Sequence, residues 1–364
     1  MPEINPAQNA VAAHGAHSSV LAADASATPG VHVKLKRRQW LRLSLGLGAV
    51  LGTAHGDAAT PDLKWRERAL LGFGTSLWLR AAHASAERVE AALDAAIAAI
   101  RHVECQMSLF DPDSAVCRLN REGVLHHPHP DLVQVLQLAQ QVSARSDGAF
   151  DVTVQPLWLA WHGAQRAGRL PTAHELGVAR ARVGWRGLEV SPERIRLLRP
   201  GMALTLNGIA QGFASDLART ALRDHGIEHA LIDTGEWSAL GSSPDATAWT
   251  LGVADPRSAD ALVARLATDG RAVATSSDAY CSFSADHLHH HIFDPHTGYS
   301  PRGLASVTVA APTCTMADAL TKVMFMAGPV RSFDVARQWQ VDVLVVDKAG
   351  RWRASPGLET RLRS

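Results

Sequence analysis

The sequence predicts an α+β fold, with helices packed on an antiparallel sheet in a single large domain that follows residue 56. Three observations carry this. Apolar residues recur at three-to-four spacing through the first half, and short β-rich runs dominate the second half. The strict strand–helix alternation of a doubly wound sheet is absent. No repeat of fixed period and no Gly/Ser linker after residue 60 marks a seam, so 57–364 reads as one unit and 1–56 as a separate address.

The elements follow in order. Over Ser85–Met107, Val89, Leu93, Ala96, Ile97, Ile100 and Val103 share one face opposite Glu87, Glu90 and Arg101, which predicts an amphipathic helix. Asp131–Arg145 repeats the pattern with Leu132, Val135, Leu136 and Ala139, and stops at Asp147-Gly148. Phe213–His225 is a third helix closed by Gly226, and Asp318–Ala327 a fourth. Strands are predicted at Arg194–Leu198, Ala203–Leu206, Ala230–Asp233, Trp249–Val253, Ala272–Ser276, Ser306–Ala310 and Val341–Asp347.

Composition bounds the function. Of 364 residues, 46% are hydrophobic and 20% charged, enough apolar material for a sizeable core. The formal net charge is +1, which argues against a nucleic-acid binder held by phosphate contacts. Residues 1–56 hold five basic and two acidic residues; the remaining 31 basic and 33 acidic residues leave 57–364 at a net of −2. The positive sign therefore belongs to the N-terminus. The four cysteines (Cys105, Cys117, Cys281, Cys314) include no C-x-x-C pair, so no zinc ribbon is indicated.

That N-terminus carries Lys36-Arg37-Arg38-Gln39-Trp40-Leu41-Arg42, then an apolar run from Leu43 to Ala54. An arginine pair, an aromatic-leucine step and a short Gly-containing apolar stretch have the pattern of a twin-arginine export signal. The run of about 12 residues is too short to span a hydrocarbon core of roughly 30 Å. Thr53-Ala54-His55-Gly56 offers small residues for cleavage, and the expected location is periplasmic.

Five later segments are polar or Gly-containing where packing alone would select simpler residues. They are Met107–Asn120, Ser146–Trp158, Leu206–Asp216, Ala274–Asp278 with His287–Gly298, and Ala317–Lys322. In the third, a strand expected to run through Gly208 and Gly212 into a helix would turn backbone N–H groups toward an anion, though turn geometry alone also explains such glycines. In the fourth, His287, His289, His290 and His291 invite a metal reading. On a strand, however, His289 and His291 face away from His290, and a lone positioned histidine fits general-base work equally well. In the fifth, Asp318 in a first helical turn serves either the helix dipole or a hard cation.

Taken together and in this order, the segments resemble the ApbE family of FAD:protein FMN transferases. The family's Gly-Ala-Phe-Asp matches 148–151, its Gly-Ile-Ala-Lys-Gly turn matches 208–212 at all but one position, and its Thr-Ser matches 275–276. Its His-Ile-x-Asp-Pro matches 291–295 and its Ala-Asp-Ala-Leu matches 317–320. The resemblance implies a T-fold-like domain that cleaves FAD, attaches FMN by a phosphoester to a Thr or Ser of a periplasmic or membrane-associated redox protein, and releases AMP. It implies His291 as base, with Asp294 beside it in the catalytic set. FAD would lie against Phe73, Phe110, Ala149, Phe150, Asp151, Thr205, Gln211 and Ile292. Mg2+ would sit at Asp318 with Gly208 and a hydroxyl from the 321–322 step.

Three positions depart from the family. Thr205 stands for Asp, Gln211 for Lys and Lys322 for Thr. The first two changes roughly cancel in charge and read as one exchanged ion pair. Lys322 is different, because an ammonium cannot ligate Mg2+ and repels it. Either Thr321 supplies the missing hydroxyl, or Lys322 takes over part of the cation's role. The alternatives to a transferase are a flavin-binding assembly or carrier protein without transferase activity, and a pyrophosphatase that hydrolyses FAD to FMN and AMP.

Overall fold

A computed structural model describes residues 63–363. The arginine pair and the apolar run behind it lie outside the described residues. The chain opens on a hairpin, β1 (Lys64–Gly72) and β2 (Thr75–His83), then α1 (Ala86–Met107), α2 (Ala115–Glu122), β3 (Val124–His126), α3 (Pro130–Arg145), α4 (Gln155–Arg166) and α5 (Ala173–Arg180). There follow β4 (Leu188–Val190), β5 (Arg194–Leu197), α6 (Ala210–Asp224), β6 (His229–Asp233), β7 (Trp237–Leu240), β8 (Thr250–Asp255), β9 (Ser258–Ala267) and β10 (Ala272–Ser277). The chain closes with β11 (Leu304–Ala311), α7 (Cys314–Trp339), β12 (Asp342–Asp347), β13 (Trp352–Ala354), α8 (Pro356–Glu359) and β14 (Leu362–Arg363). Among the described residues no helix is long and apolar enough to cross a membrane.

Eight strands form the central sheet in the order β1-β2-β6-β7-β10-β11-β12-β13, and every pairing in it is antiparallel. Side-chain alternation sorts its two faces. Ile232, Val307, Val309, Val343 and Val345 join the core beneath α1, α6 and α7. Leu231, Leu344 and Val346 face the opposite way, onto Leu251 and Leu266 of the small β14-β9-β8 sheet and Trp249 just before β8. With both faces covered, β11 is buried along its whole length, Ser306 and Thr308 included. Each fully buried Leu or Val contributes about 1.5–3 kcal/mol on transfer from water, so this double burial is the main source of stability.

The helix α1 begins where Ser85 Oγ accepts the Arg88 N–H, and its buried stripe includes Val89, Leu93, Ala96, Ile100 and Val103, the face read from the sequence. Helix α6 starts three residues earlier than predicted, at Ala210, and ends at Gly226 (φ 77°), where the Ile227 N–H returns to the Leu222 carbonyl. Helix α7 is longer than predicted; it continues past a kink at Gly328 (φ 77°) and Pro329.

One predicted strand is absent. Ala203–Leu206 joins no sheet, because its backbone groups are taken by other partners. Asn120 Oδ1 accepts the Leu204 N–H (2.6 Å), Asn120 Nδ2 donates to the Leu204 carbonyl (2.9 Å), and the Thr205 N–H reaches the Val152 carbonyl (2.8 Å).

Candidate active site

Two of the sequence segments meet where α6 crosses α7. A Cβ on Gly212 would lie 2.4 Å from the Cys314 carbonyl oxygen, so only glycine permits this approach. Asp216, one turn further along α6, accepts the Cys314 N–H (2.8 Å), the Thr315 N–H (2.9 Å) and the Thr315 hydroxyl (2.5 Å), capping α7 from outside. The crossing brings the Gly212 N–H to Asp318 Oδ2 (3.3 Å) across 106 residues of sequence. The anion at the start of α6 is thus a side chain of the protein itself.

Asp318 is fully buried and its other oxygen is occupied. Lys322 Nζ donates to Asp318 Oδ1 at 2.5 Å and to the Asp318 carbonyl at 3.1 Å. The lysine stem lies against Gly208, whose Cβ position would be 3.0 Å from Lys322 Cε and 3.6 Å from Nζ. Thr321 is also fully buried; its hydroxyl donates to the Asp318 carbonyl (2.7 Å) and shares a 2.7 Å hydrogen bond with Ser276 Oγ of β10. Two of the ligands expected for Mg2+, Asp318 and Thr321, therefore already have partners, and an ammonium stands beside them and against Gly208. Mg2+ requires near-octahedral oxygen ligation and would have to displace this lysine, so the residues present do not fit it.

The histidine tract is not a strand and does not converge on one point. It forms a loop closed by the Ser282–His290 bridge. His290 is buried. Its Nε2 faces the Pro301 carbonyl (3.2 Å) and its Nδ1 accepts the Ile292 N–H (3.4 Å). Desolvation, helped by the proximity of His291 and the Lys348 charge, pushes its pKa down to about 3. His291 is partly exposed, and its Nδ1 faces the Cys281 carbonyl (3.3 Å). A carbonyl only accepts, so Nδ1 carries the proton and Nε2 the lone pair. His289 instead stacks on Trp161, ring centroids 4.9 Å apart.

Two anchors hold this loop. Trp161 of α4 packs among Phe283, His289, Phe293 and Tyr299 and donates its indole N–H to the Gly298 carbonyl (3.0 Å). At the other end Asp278 is fully buried, bidentate to Arg257 (2.6 and 2.8 Å) and bonded to Lys348 (2.5 Å), which also reaches the His287 carbonyl (2.6 Å). Burial works against the Asp278 carboxylate, but these cations outweigh it and hold its pKa below the usual value.

The other predicted residues have the following places. Asp294 Oδ1 accepts the His296 N–H (2.9 Å) and Oδ2 the Thr297 hydroxyl (3.0 Å), so its carboxylate holds its own turn. His296 Nε2 meets the Asp147 carbonyl (2.9 Å), joining this turn to the Gly148–Asp151 segment. There Phe150 is buried and Ala149 partly buried, while Asp151 accepts from Thr153 N (2.8 Å), Thr153 Oγ1 (2.6 Å) and Trp185 N (2.9 Å). Burial is the largest influence on Asp151 and raises its pKa despite those bonds. Ile292 is buried beside His290. Gln211 Nε2 donates to the Thr234 carbonyl (2.6 Å), while Thr205 Oγ1 accepts the Asn207 N–H (3.3 Å), so the supposed exchanged pair goes to separate partners. Phe73 (φ 51°) and Gly74 (φ 78°) form the β1–β2 turn, and the Phe110 ring covers Gly74, 2.6 Å from where a Cβ would stand.

Sequence reasoning thus located four converging segments. The 208–212 turn meets 318–322, Thr321 meets Ser276, Lys348 ties Asp278 to the histidine loop, and His296 ties that loop to Asp147. It did not single out Trp161, Glu236, Arg257 or Lys348. Glu236 is fully buried and its Oε2 accepts the Thr275 N–H (3.1 Å). Arg257 and Lys348 are single charges with no motif around them, and Trp161 is indistinguishable in sequence from a core residue. Among the described residues, the trio His102, His129 and Asp131 has its ligand atoms within 4.8 Å of one another. His129 Nδ1 there accepts the Asp131 N–H as the cap of α3.

The sequence model of the ApbE family matches residues 73–345, which contain every one of these segments. The chain belongs to the ApbE family. It is 30% identical over 337 residues to the FAD:protein FMN transferase of Treponema pallidum, covering 86% of this chain and 92% of that one. It is 30% identical over 258 residues to the FAD:protein FMN transferase of Vibrio cholerae, covering 68% of this chain and 77% of that one. Among solved structures, the ApbE protein of Thermotoga maritima superposes with a TM-score of 0.74 at 26% identity, covering 83% of this chain and all of that one. The apo flavinyl transferase ApbE of Pseudomonas stutzeri gives 0.71 at 25% identity, covering 83% and 98%.

Proposed function

We propose that this ApbE-family protein is an exported FAD:protein FMN transferase that attaches FMN to a Thr or Ser of a redox acceptor protein and releases AMP. The observation that carries the reading is the family match across 73–345 together with His291, whose proton sits on Nδ1 and whose Nε2 is left with a lone pair. That nitrogen would take the proton of the acceptor hydroxyl. The hydroxyl oxygen would bond to the FMN phosphorus as the P–O bond to AMP breaks, and AMP would leave with that electron pair and pick up a proton. His290, held neutral, would neither compete for the proton nor add a charge beside His291.

FAD would lie along Phe73, Phe110, Ala149, Phe150, Asp151, Thr205, Gln211 and Ile292, with Asp294 keeping the loop behind His291 in shape. No step is assigned to Mg2+, because Lys322 stands where the cation was expected. The twin-arginine pattern at 36–42 supports export of the folded protein to the periplasm, where acceptors are soluble or membrane-associated redox subunits.

The test is incubation of the full chain with FAD and a candidate acceptor domain, followed by in-gel flavin fluorescence and intact mass. The acceptor gains the mass of FMN less water. His291→Ala keeps FAD binding and loses about 10²–10⁴-fold in rate, the usual contribution of a general base. Undiminished labelling by that variant removes His291 from the chemistry.

A further inference from the structure

We propose that the Lys322 ammonium is the resident cation of this site and that the protein handles the FAD pyrophosphate without a divalent metal ion. The inference rests on the transferase reading, but the geometry behind it is independent. Lys322 lies one helical turn after Asp318, and its ammonium bridges Asp318 Oδ1 and the Asp318 carbonyl while its stem covers Gly208. These are the groups among which a metal ion was expected.

Three features argue that the ammonium acts on substrate rather than only closing a salt bridge. Asp318 is fully buried, whereas the Lys322 side chain keeps 17% exposure, so the cation is the outer member of the pair. An ammonium has three donors; two are engaged by Asp318, and one remains for an incoming oxygen. The carboxylate behind it is fixed by the Gly212 N–H and cannot turn away, so the charge is held in place before substrate arrives. A divalent ion entering here would either meet this ammonium a few ångströms away or have to expel it into solvent.

The step balances without a metal. The acceptor oxygen bonds to the FMN phosphorus, the bond from that phosphorus to the AMP oxygen breaks, and the hydroxyl proton passes to His291. Lys322 N–H donates to a pyrophosphate oxygen throughout and gains or loses no proton.

The experiment uses the full chain stripped of metal. Mn2+ is added without FAD, and the free ion is read by electron paramagnetic resonance; transfer is then measured in EDTA and in excess Mg2+. The proposal expects Mn2+ to stay free with the wild-type protein, and transfer rates in the two buffers to agree within about twofold. Lys322→Met should keep FAD binding and lose roughly 100-fold in transfer, the effect of removing one preorganised donor. Lys322→Thr should bind Mn2+ and become Mg2+-dependent. Mn2+ bound by the wild type and released by Asp318→Asn overturns the proposal, as does transfer that vanishes in EDTA and returns with Mg2+. If FAD binds but no buffer gives transfer, the transferase reading falls, and the wild-type Mn2+ result still decides which cation holds the site.

Discussion

His290 and His291 are neighbours with opposite proton placement, and their backbone partners cause the difference. The Pro301 carbonyl fixes the proton of His290 on Nε2, and the Cys281 carbonyl fixes that of His291 on Nδ1. One histidine is locked inside, and the other, partly exposed, carries its proton on Nδ1. Buried His290 also makes stability depend on pH. Its folded pKa is about 3 against an ordinary 6.5, so between those values the unfolded chain binds the extra proton. Its contribution is fully present above pH 6.5 and falls by about 1.4 kcal/mol per pH unit as pH drops toward 3. Urea midpoints measured at pH 4.5 and 7 should differ by less in His290→Asn than in the wild type. An equal slope in both proteins assigns the acid sensitivity elsewhere. The sequence placed four histidines in this tract, but only the folded loop separates their roles.

At the scale of elements, the α6–α7 crossing positions the polar cluster. Gly212→Ala would set a methyl 2.4 Å from the Cys314 carbonyl, forcing the helices apart at the point where Gly212 N–H meets Asp318. A loss of about 3 kcal/mol in urea unfolding is expected, at the upper end for overpacking, together with a loss of transfer. A wild-type midpoint would show that the crossing adjusts. The same scale shows what the sequence could reveal. Helices α1 and α3 carry uninterrupted apolar stripes, and β10, β11 and β12 are rich in Val and Ala because both faces of the sheet are covered, so their β-rich runs expose them. The β1–β2 hairpin escaped because its residues Lys64, Arg66, Glu67 and Arg68 mask the alternation and Phe73 makes its turn in the left-handed region. Ala203–Leu206 misled because side-chain hydrogen bonds from Asn120 can extend a backbone as a neighbouring strand does.

Across the whole molecule, a central sheet covered on both faces supplies the base, and the polar motif segments are gathered in the loops and helix starts around it. The histidine loop is the most dependent on distant support, since Trp161 packs against one end and the Arg257–Asp278–Lys348 cluster fixes the other. Asp278→Asn would leave two cations facing a neutral amide and is expected to cost about 3 kcal/mol, the lower end for breaking a buried pair. Transfer should fall with it, and FAD binding should weaken with it, because Ile292 of the same loop lies in the proposed FAD site. Retained stability in that variant would show the cluster to be dispensable. Motif order in the sequence was enough to indicate this assembly, because each segment carries its own residue types. The partners that fix the loop from elsewhere carry no local signal.

The most direct measurement is the intact mass of an acceptor domain after incubation with the full chain and FAD, with AMP followed in the same mixture. The account predicts a gain of FMN less water on a Thr or Ser, one AMP released per label, and neither with His291→Ala. AMP and free FMN appearing together without any labelled acceptor would contradict it.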